Sequence, residues 1–193
     1  DGSCPFTPPG QPEMDQPPQR GELYESLAIV SCGWSPGDLV TVTVTDPIGT
    51  VTQKQQEANQ GMGESAWAAA WLYPTLPGEY KFSFQGPGGE LDYILPVSVA
   101  DGPRLFSMRN DNALVLYRLQ PNERVTLLAY QPKQDGMEDL IEFVGSQNFQ
   151  ADEQGFLIVR IPGDFLLYFA IGEVSGNLED GNGGLPLQGS IFK

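Results

Sequence analysis

The sequence repeats itself after 85 residues, and this repeat constrains the fold more than any other feature. Pro36–Val42 aligns with Pro121–Leu127, and Leu76–Tyr80 aligns with Ile161–Phe165 at the same offset. A single offset across two separate motifs indicates two copies of one structural unit. We therefore predict three segments: a Pro-rich N-terminal arm over residues 1–20, a first domain over residues 21–100, and a second domain over residues 101–193.

Within each copy, apolar and polar residues alternate, as expected for β-strands with one buried face. In the first copy this pattern covers Val40–Thr45 and Tyr80–Gln85. The repeat partners of Tyr80, Phe82 and Phe84 are predicted to keep the same inward phase: Phe165, Leu167 and Phe169. Turn sequences such as Ser35–Asp38 separate the strands. The fold class predicted from these patterns is all-β, with two tandem antiparallel β-sandwiches.

The segment Glu64–Leu72 is rich in alanine, and helix propensity alone favours a short helix there. Its repeat partner includes Phe156–Arg160, which has a clear β pattern. We follow the repeat and predict a strand. Its one face then carries Trp67, Ala69, Trp71 and Tyr73.

The charge balance excludes several functions. The chain has 25 acidic and 10 basic side chains, a net charge of −15, and no histidine. A nucleic-acid partner is excluded because phosphate contacts need clustered Lys and Arg. Most hydrolase mechanisms need histidine as a base or metal ligand, so we predict no enzyme activity. Acid pairs at matched repeat positions, such as Asp38 with Glu123 and Glu57 with Glu142, are interpreted as exposed solubilising charge.

The chain has two cysteines, Cys4 and Cys32, on either side of the Pro-rich segment. One disulfide between them would hold the arm against the first domain and would imply an oxidising, extracytoplasmic location. Two alternatives stay open. Both thiols could be reduced, or Cys4 could be lipidated, because Gly2-Ser3-Cys4 is similar to the end of a bacterial lipobox.

No run of apolar residues is long enough to span a bilayer, and no signal-peptide pattern is present. A membrane tether is therefore expected only outside this chain or at its N-terminus. The expected location is secreted, periplasmic or anchored at the cell surface.

Calcium is the one cofactor that the sequence suggests. Asp101 and the turn Asn110-Asp111-Asn112 supply oxygen ligands near the predicted domain junction. Full ligand spacing is missing, and Asn-Asp-Asn is also ordinary turn chemistry, which we favour. No other metal site or cofactor is predicted.

An aromatic platform is the candidate site for a sugar or another small ligand. Its members would be Trp67, Trp71 and Tyr73. Stacking on a sugar needs exposed rings, whereas buried tryptophans are typical of sandwich cores. We favour core packing for the tryptophans. Trp67 is the exception, because its repeat partner is the charged Asp152.

The turn and strand motifs resemble those of known bacterial modules. Pro-Gly-Asp-x-Val-x-Val at Pro36–Val42, an Asp-Pro-x-Gly turn at Asp46–Gly49 and Leu-Pro-Gly-Glu-Tyr-x-Phe at Leu76–Phe82 are similar to motifs of immunoglobulin-like sandwiches. Such modules, including macroglobulin-like and fibronectin-III-like ones, occur in tandem in extracytoplasmic bacterial proteins. The second copy departs from the pattern at Asn122, which replaces Gly37.

The resemblance implies a non-enzymatic module on the cell surface for protein–protein contact or spacing, with a protein partner. Its motifs are turn and core signatures, so they are nearly silent on function. The alternative is a module that binds carbohydrate or another small ligand, or the sensor ectodomain of a membrane receptor.

Overall fold

In the computed structural model, residues 7–60, 65–108, 113–132, 141–161, 167–180 and 187–188 are described. All regular secondary structure in these residues is β-strand, which confirms the predicted all-β class. No helix long and apolar enough to cross a membrane occurs among them. The chain divides into two compact units: Asp1–Leu23 with Leu27–Val99, and Tyr24–Ser26 with Ala100–Lys193.

The first unit is a sandwich of two sheets, with strand orders β1-β3-β7-β6 and β2-β9-β8-β4-β5. All its pairings are antiparallel except the parallel pair β2 and β9. The strands are β1 (Glu13–Met14), β2 (Gly21–Glu22), β3 (Leu27–Trp34), β4 (Leu39–Thr45), β5 (Val51–Glu57), β6 (Asn59–Gln60), β7 (Ala66–Leu72), β8 (Gly78–Gly86) and β9 (Gly89–Ser98).

The core of the first unit lies between these sheets. Trp34, at the end of β3, is fully buried and lies against Gly86 of β8. Its indole nitrogen donates a hydrogen bond of 2.9 Å to Ser31 Oγ, which in turn donates to the carbonyl oxygen of Ala68 in β7 at 3.2 Å. The one polar atom of the buried ring is thereby satisfied, as a Trp in a core requires.

The Pro-rich N-terminal segment runs along the first unit's smaller sheet. Strand β1 pairs with β3, so that Glu13 lies opposite Cys32 and Met14 opposite Ser31. The amide of Gly10 also donates to the carbonyl oxygen of Gly33 at 2.8 Å. Backbone hydrogen bonds therefore bind this segment to the sandwich from residue 10 onward.

The second unit has the sheets β14-β11-β10-β17 and β13-β12-β15-β16, and β18 also pairs with β15. Among the described strands of this unit, β10 and β17 alone pair in parallel. The strands are β10 (Arg104–Met108), β11 (Ala113–Tyr117), β12 (Arg124–Pro132), β13 (Ile141–Gln150), β14 (Leu157–Arg160), β15 (Leu167–Gly172), β16 (Gly176–Asn177), β17 (Glu179–Asp180) and β18 (Leu187–Gln188).

An apolar cluster of described residues forms the core of the second unit, and it draws on both sheets. Leu114 and Leu116 of β11 contribute from one sheet, and Val125, Leu127 and Ala170 contribute from the other. The segment Tyr24–Ser26 also belongs to this unit, where the Tyr24 ring meets the ring of Tyr117 edge-on at 5.2 Å between centroids.

The turn that enters strand β4 recurs in the second copy with the same geometry. Asp38 N donates to the carbonyl of Ser35, and Glu123 N donates to that of Gln120, at 3.0 and 3.1 Å. The third residue of each turn has a positive φ, 85° at Gly37 and 60° at Asn122. Asparagine is the non-glycine residue that best tolerates this conformation, so the replacement of Gly37 keeps the type II turn.

The predicted phase of β15 is wrong by one residue. In the first unit Val42 pairs with Phe84, and in the second unit its repeat partner Leu127 pairs with Ala170. Ala170 lies 86 residues after Phe84, so the offset on this strand is 86 rather than 85. A slip of one residue exchanges the two faces of a strand. Phe169 consequently faces outward, 36% exposed, while Tyr168 and Ala170 are buried. Phe165, and the side chain of Leu167, lie outside what the structure describes.

The prediction of a strand over the alanine-rich segment is confirmed, because Ala66–Leu72 forms β7 between β3 and β6. Its inward face consists of Ala66, Ala68 and Ala70, all buried. Small side chains on this face leave room for the opposing sheet. The packing between the two sheets outweighs the helix propensity of alanine.

Candidate functional site

The predicted disulfide involves one residue outside the described part of the chain, Cys4. Cys32 lies in β3, 2% exposed, opposite Trp67 of β7. No cysteine among the described residues is free. The pairing of Cys4 with Cys32 stays a prediction, and so does lipidation of Cys4.

The predicted calcium ligands are also only partly described. Asn110, Asp111 and Asn112 lie outside the described residues, and Asp101 is exposed. Within the described ranges, no three His, Cys, Asp or Glu side chains group in a way that could hold a metal ion. The calcium site therefore stays a prediction.

The three tryptophans divide between core and surface. Trp34 is in the core as favoured, but Trp71 is 68% exposed, so core packing is wrong for this residue. The reason is the inward alanine face of β7, which turns the odd-numbered residues outward. Trp67 and Tyr73 are half-buried. Trp67 and Trp71 are four residues apart along one strand, about 13 Å, so they cannot stack on a single sugar ring.

The carboxylate of Glu123 is buried, so the prediction of exposed charge is wrong for this residue. Its side chain is 4% exposed. Oε1 accepts hydrogen bonds from the amides of Val174 and Ser175 at 2.9 and 2.6 Å. Oε2 accepts from Gln120 N and Ser175 Oγ, both at 2.8 Å. The carboxylate thus joins the turn before β12 to the turn after β15.

These contacts set the ionisation of Glu123. Burial by itself raises the pKa of the carboxyl, but the hydrogen bonds from Ser175, Gln120 and Val174 favour the charged form and lower the pKa below its ordinary value. All of the described hydrogen-bond partners of this carboxylate are donors from the protein itself. Glu123 is consequently a structural clamp rather than a candidate acid or base.

An exposed aromatic cluster lies on the outer face of the second unit's β13-β12-β15 sheet. The Tyr130 ring meets Phe143 of β13 at 5.4 Å and Phe169 of β15 at 5.3 Å between centroids, edge-on in both cases. Phe143 is 54% exposed, and Ile171 on the same face is 40% exposed. We call this surface, Leu128, Tyr130, Phe143, Phe169 and Ile171, the aromatic face.

The corresponding face of the first unit is mostly polar, although two exposed apolar residues, Val51 and Ile94, lie in its end row beside Thr45 and Lys81. Thr43 and Thr45, which stand 85 residues before Leu128 and Tyr130, face outward there. Gln53 Nε2 donates to Thr43 Oγ1 at 3.2 Å, and Ser83 Oγ donates to Glu90 at 3.3 Å. The same sheet position is therefore hydrogen-bonded and hydrophilic in one copy and aromatic in the other.

Sequence reasoning missed the aromatic face, although a signal was present. The run Leu127-Leu128-Ala129-Tyr130 is apolar without interruption, whereas the first copy alternates Val and Thr at the matching positions. An apolar run in a strand of an antiparallel sheet indicates that both faces are covered or available for covering.

The strand order and the two cores define the chain as a tandem pair of immunoglobulin-like β-sandwiches. No family model matches the sequence, and no curated protein matches it either.

Solved structures do show likenesses. Trypsin-activated alpha-2-macroglobulin from Escherichia coli is 14% identical over 94% of this chain and 15% of that chain, with a TM-score of 0.35. A tetra-tandem repeat from the extending region of a large adhesion protein is 11% identical over 86% of this chain and 45% of that one, with a TM-score of 0.30. A pullulanase from Anoxybacillus sp. LM18-11, complexed with maltotriose, is 10% identical over 81% and 24%, with a TM-score of 0.23.

This chain spans less than half the length of each of these proteins. At such identities and TM-scores the likenesses carry no functional argument. Any statement about function has to come from the surfaces of the chain itself.

Proposed function

We propose that the chain is a non-enzymatic, extracytoplasmic module of a bacterial surface protein that contacts a protein partner through the aromatic face. The observation that carries the proposal is the exposure of Phe143, Phe169 and Ile171 next to one another on a single sheet. Contiguous exposed apolar surface is rare on soluble monomers and marks interaction sites. Aromatic side chains are also enriched at the centres of protein interfaces.

The repeat supplies an internal comparison that supports the proposal. If the outer face of this sheet served only solubility, both copies could be polar there. At the positions that match Leu128 and Tyr130 the first copy is polar, with Thr43 and Thr45, and Gln53 donates a hydrogen bond to Thr43. The second copy exposes aromatic rings, which lower its solubility. We therefore infer that the surface of a partner covers these rings.

The charge of the chain specifies the partner's chemistry. The net charge is −15 and the sequence pI is about 4.1. The aromatic face carries no charged member, so its partner needs an apolar centre, and the acidic remainder favours basic side chains around that centre. A second copy of this chain is disfavoured by like-charge repulsion.

Site-specific photo-crosslinking in the source cells tests the proposal. Ser146 lies on β13 opposite Leu128, and it is exposed, so a benzoyl-phenylalanine there would face the partner. Gln53 on β5 of the first unit is the matched control position. We expect a crosslinked protein from Ser146, none from Gln53, and loss of the product in the Phe143→Ser/Phe169→Ser variant. The captured protein must then bind the purified chain.

A product that forms equally from Gln53, or that survives in the double serine variant, would overturn the contact role of the aromatic face.

A second experiment addresses the charge complementarity. Binding of the purified partner should weaken as salt is raised from 50 to 500 mM, because screening removes attraction between opposite charges. Binding that strengthens with salt would contradict a basic rim on the partner.

Carbohydrate binding is the second candidate, and the exposure of Trp71 favours it. A single exposed indole can stack on one sugar ring. Titration with cellohexaose, followed by tryptophan fluorescence, should then give a saturable change that the Trp71→Ala variant lacks. The absence of any change in the unmodified protein would remove this candidate.

A further inference from the structure

The second unit contains a pocket that none of the five residues of the aromatic face lines, although Ser146, opposite Leu128, borders it. Its volume is about 270 Å³. It lies on the inner side of the β13-β12 hairpin and extends to β14, the opposite sheet's edge strand. The apolar part of its wall is formed by Leu127, Ala129, Phe149, Val159, Ile161 and the ring of Tyr168.

The small residues of the hairpin create the space. Gly145 lies opposite Ala129, whose side chain packs toward the core. A Cβ atom added at Gly145 would meet no atom within 4 Å. Gly145 therefore borders open space, and a larger side chain there would begin in that space.

The first unit closes the matching gap. Gln56 of β5 reaches across to β7, where its Nε2 donates to the carbonyl oxygen of Ala69 at 3.0 Å. The corresponding strands of the second unit are β13 and β14, and there Phe149 and Val159 line the pocket instead. The two units therefore differ at this position: a hydrogen bond joins the two sheets in the first unit, and apolar side chains line a pocket in the second.

Tyr168 provides one buried polar group at the pocket. The residue is only 6% exposed, and its hydroxyl is buried without a hydrogen-bond partner among the described residues. Burial also raises the pKa of the Tyr168 phenol, so the group stays protonated and remains a donor at neutral pH. A buried hydroxyl without a partner is unfavourable. Because this hydroxyl has no accessible surface, the Tyr168 side chain must shift toward the pocket before an acceptor there can form the missing hydrogen bond.

We propose that this pocket binds a small, neutral, mostly apolar molecule with one hydrogen-bond-accepting oxygen, which pairs with the Tyr168 hydroxyl. An apolar pocket with few polar groups is the usual form of a small-molecule site. Neutrality follows from the apolar wall, which would not compensate a buried charge. Arg160 at the rim is exposed, so its charge stays hydrated.

The volume sets the ligand's size. A protein cavity of about 150 Å³ holds one benzene ring. A pocket of about 270 Å³ therefore suits two fused rings or an alkyl chain of similar bulk. The dye prodan, a neutral naphthalene with one ketone oxygen, matches this description and reports its surroundings by fluorescence.

Prodan titration of the full chain tests the proposal. We expect saturable 1:1 binding with a dissociation constant on the order of 100 µM or tighter. Gly145→Leu should weaken binding at least tenfold by filling the pocket, and Ala129→Leu should act in the same way from the partner strand. Asn148→Leu, on the same strand but on its other face, is the matched control and should bind like the unmodified chain.

The Tyr168→Phe variant tests the hydrogen bond. Loss of one hydrogen bond predicts about two- to tenfold weaker prodan binding, with no change for 2-dimethylaminonaphthalene, which lacks the ketone. Thermal unfolding of each variant shows that it is folded. The proposal would be overturned by the absence of saturable binding, by filling variants that bind prodan as tightly as the unmodified chain, or by an equal effect of Tyr168→Phe on both dyes.

Discussion

Glu123 shows how a single side chain can join distant parts of the second sandwich. Its donors, the amides of Val174 and Ser175, lie 51 and 52 residues further along the chain. Asp38, its counterpart in the first copy, accepts one described hydrogen bond, from Ser35 N at 2.9 Å. Because Val174 and Ser175 are distant in sequence, the burial of Glu123 could not be predicted from the local turn motif that it shares with Asp38.

We expect Glu123→Gln to destabilise the second unit by about 3 kcal/mol, because an amide nitrogen replaces one acceptor among buried donors. Asp38→Asn should cost about 1 kcal/mol or less, since it affects a single partly buried hydrogen bond. Urea unfolding followed by circular dichroism measures both values. Equal effects of the two substitutions would contradict the clamp role of Glu123.

The stabilisation by Glu123 should also depend on pH. Its pKa in the folded protein is lowered, so the unfolded chain takes up the proton first as the pH falls. The stabilisation is complete above the unfolded-state pKa of about 4.3 and is lost as the pH falls through the lower folded-state pKa. The difference in unfolding free energy between the unmodified chain and Glu123→Gln should therefore shrink from pH 5 to pH 3. A constant difference would refute this.

The prediction from the repeat fails at strand β15. The all-β class, the shared turns and strand β7 were predictable, because alternation and turn residues are local signals that both copies carry. The phase of β15 was not, since one additional residue in a connection leaves the motifs similar but reverses the faces. The aromatic face escaped prediction for the same reason: with Phe169 assigned to the core, the cluster around Tyr130 was incomplete.

The corrected phase predicts very different effects for two matched phenylalanines. Phe84→Ala should destabilise the protein by about 3–5 kcal/mol, because Phe84 is fully buried. Phe169→Ala should cost about 1 kcal/mol, the value of its ring contact with Tyr130. Urea unfolding of the two variants gives both values. A loss of about 3 kcal/mol or more for Phe169→Ala would show that Phe169 is buried, as the repeat predicted.

The whole molecule consists of two units, each with its own core. All three tryptophans, Trp34, Trp67 and Trp71, belong to the first unit. Tryptophan fluorescence therefore reports on the first unit, whereas circular dichroism reports on both.

We expect the two probes to separate in Glu123→Gln. The circular dichroism signal should acquire a transition at lower urea concentration, while the fluorescence midpoint stays that of the unmodified chain. This follows because Glu123 and all its described donors lie in the second unit. A fluorescence midpoint that moves together with the circular dichroism midpoint would show a single cooperative unit.

The aromatic face distinguishes the second copy from the first, and binding to the crosslinked partner tests its role. The affinity of the purified partner should be compared for the unmodified chain, Phe143→Ser/Phe169→Ser, and the control Val51→Ser/Ile94→Ser. Val51 and Ile94 are exposed apolar residues of the first unit, 61% and 51% exposed. We predict at least tenfold weaker binding for the first variant, because hot-spot residues each contribute about 2 kcal/mol or more, and unchanged binding for the control. Equal affinities for all three proteins would contradict a contact role for the aromatic face.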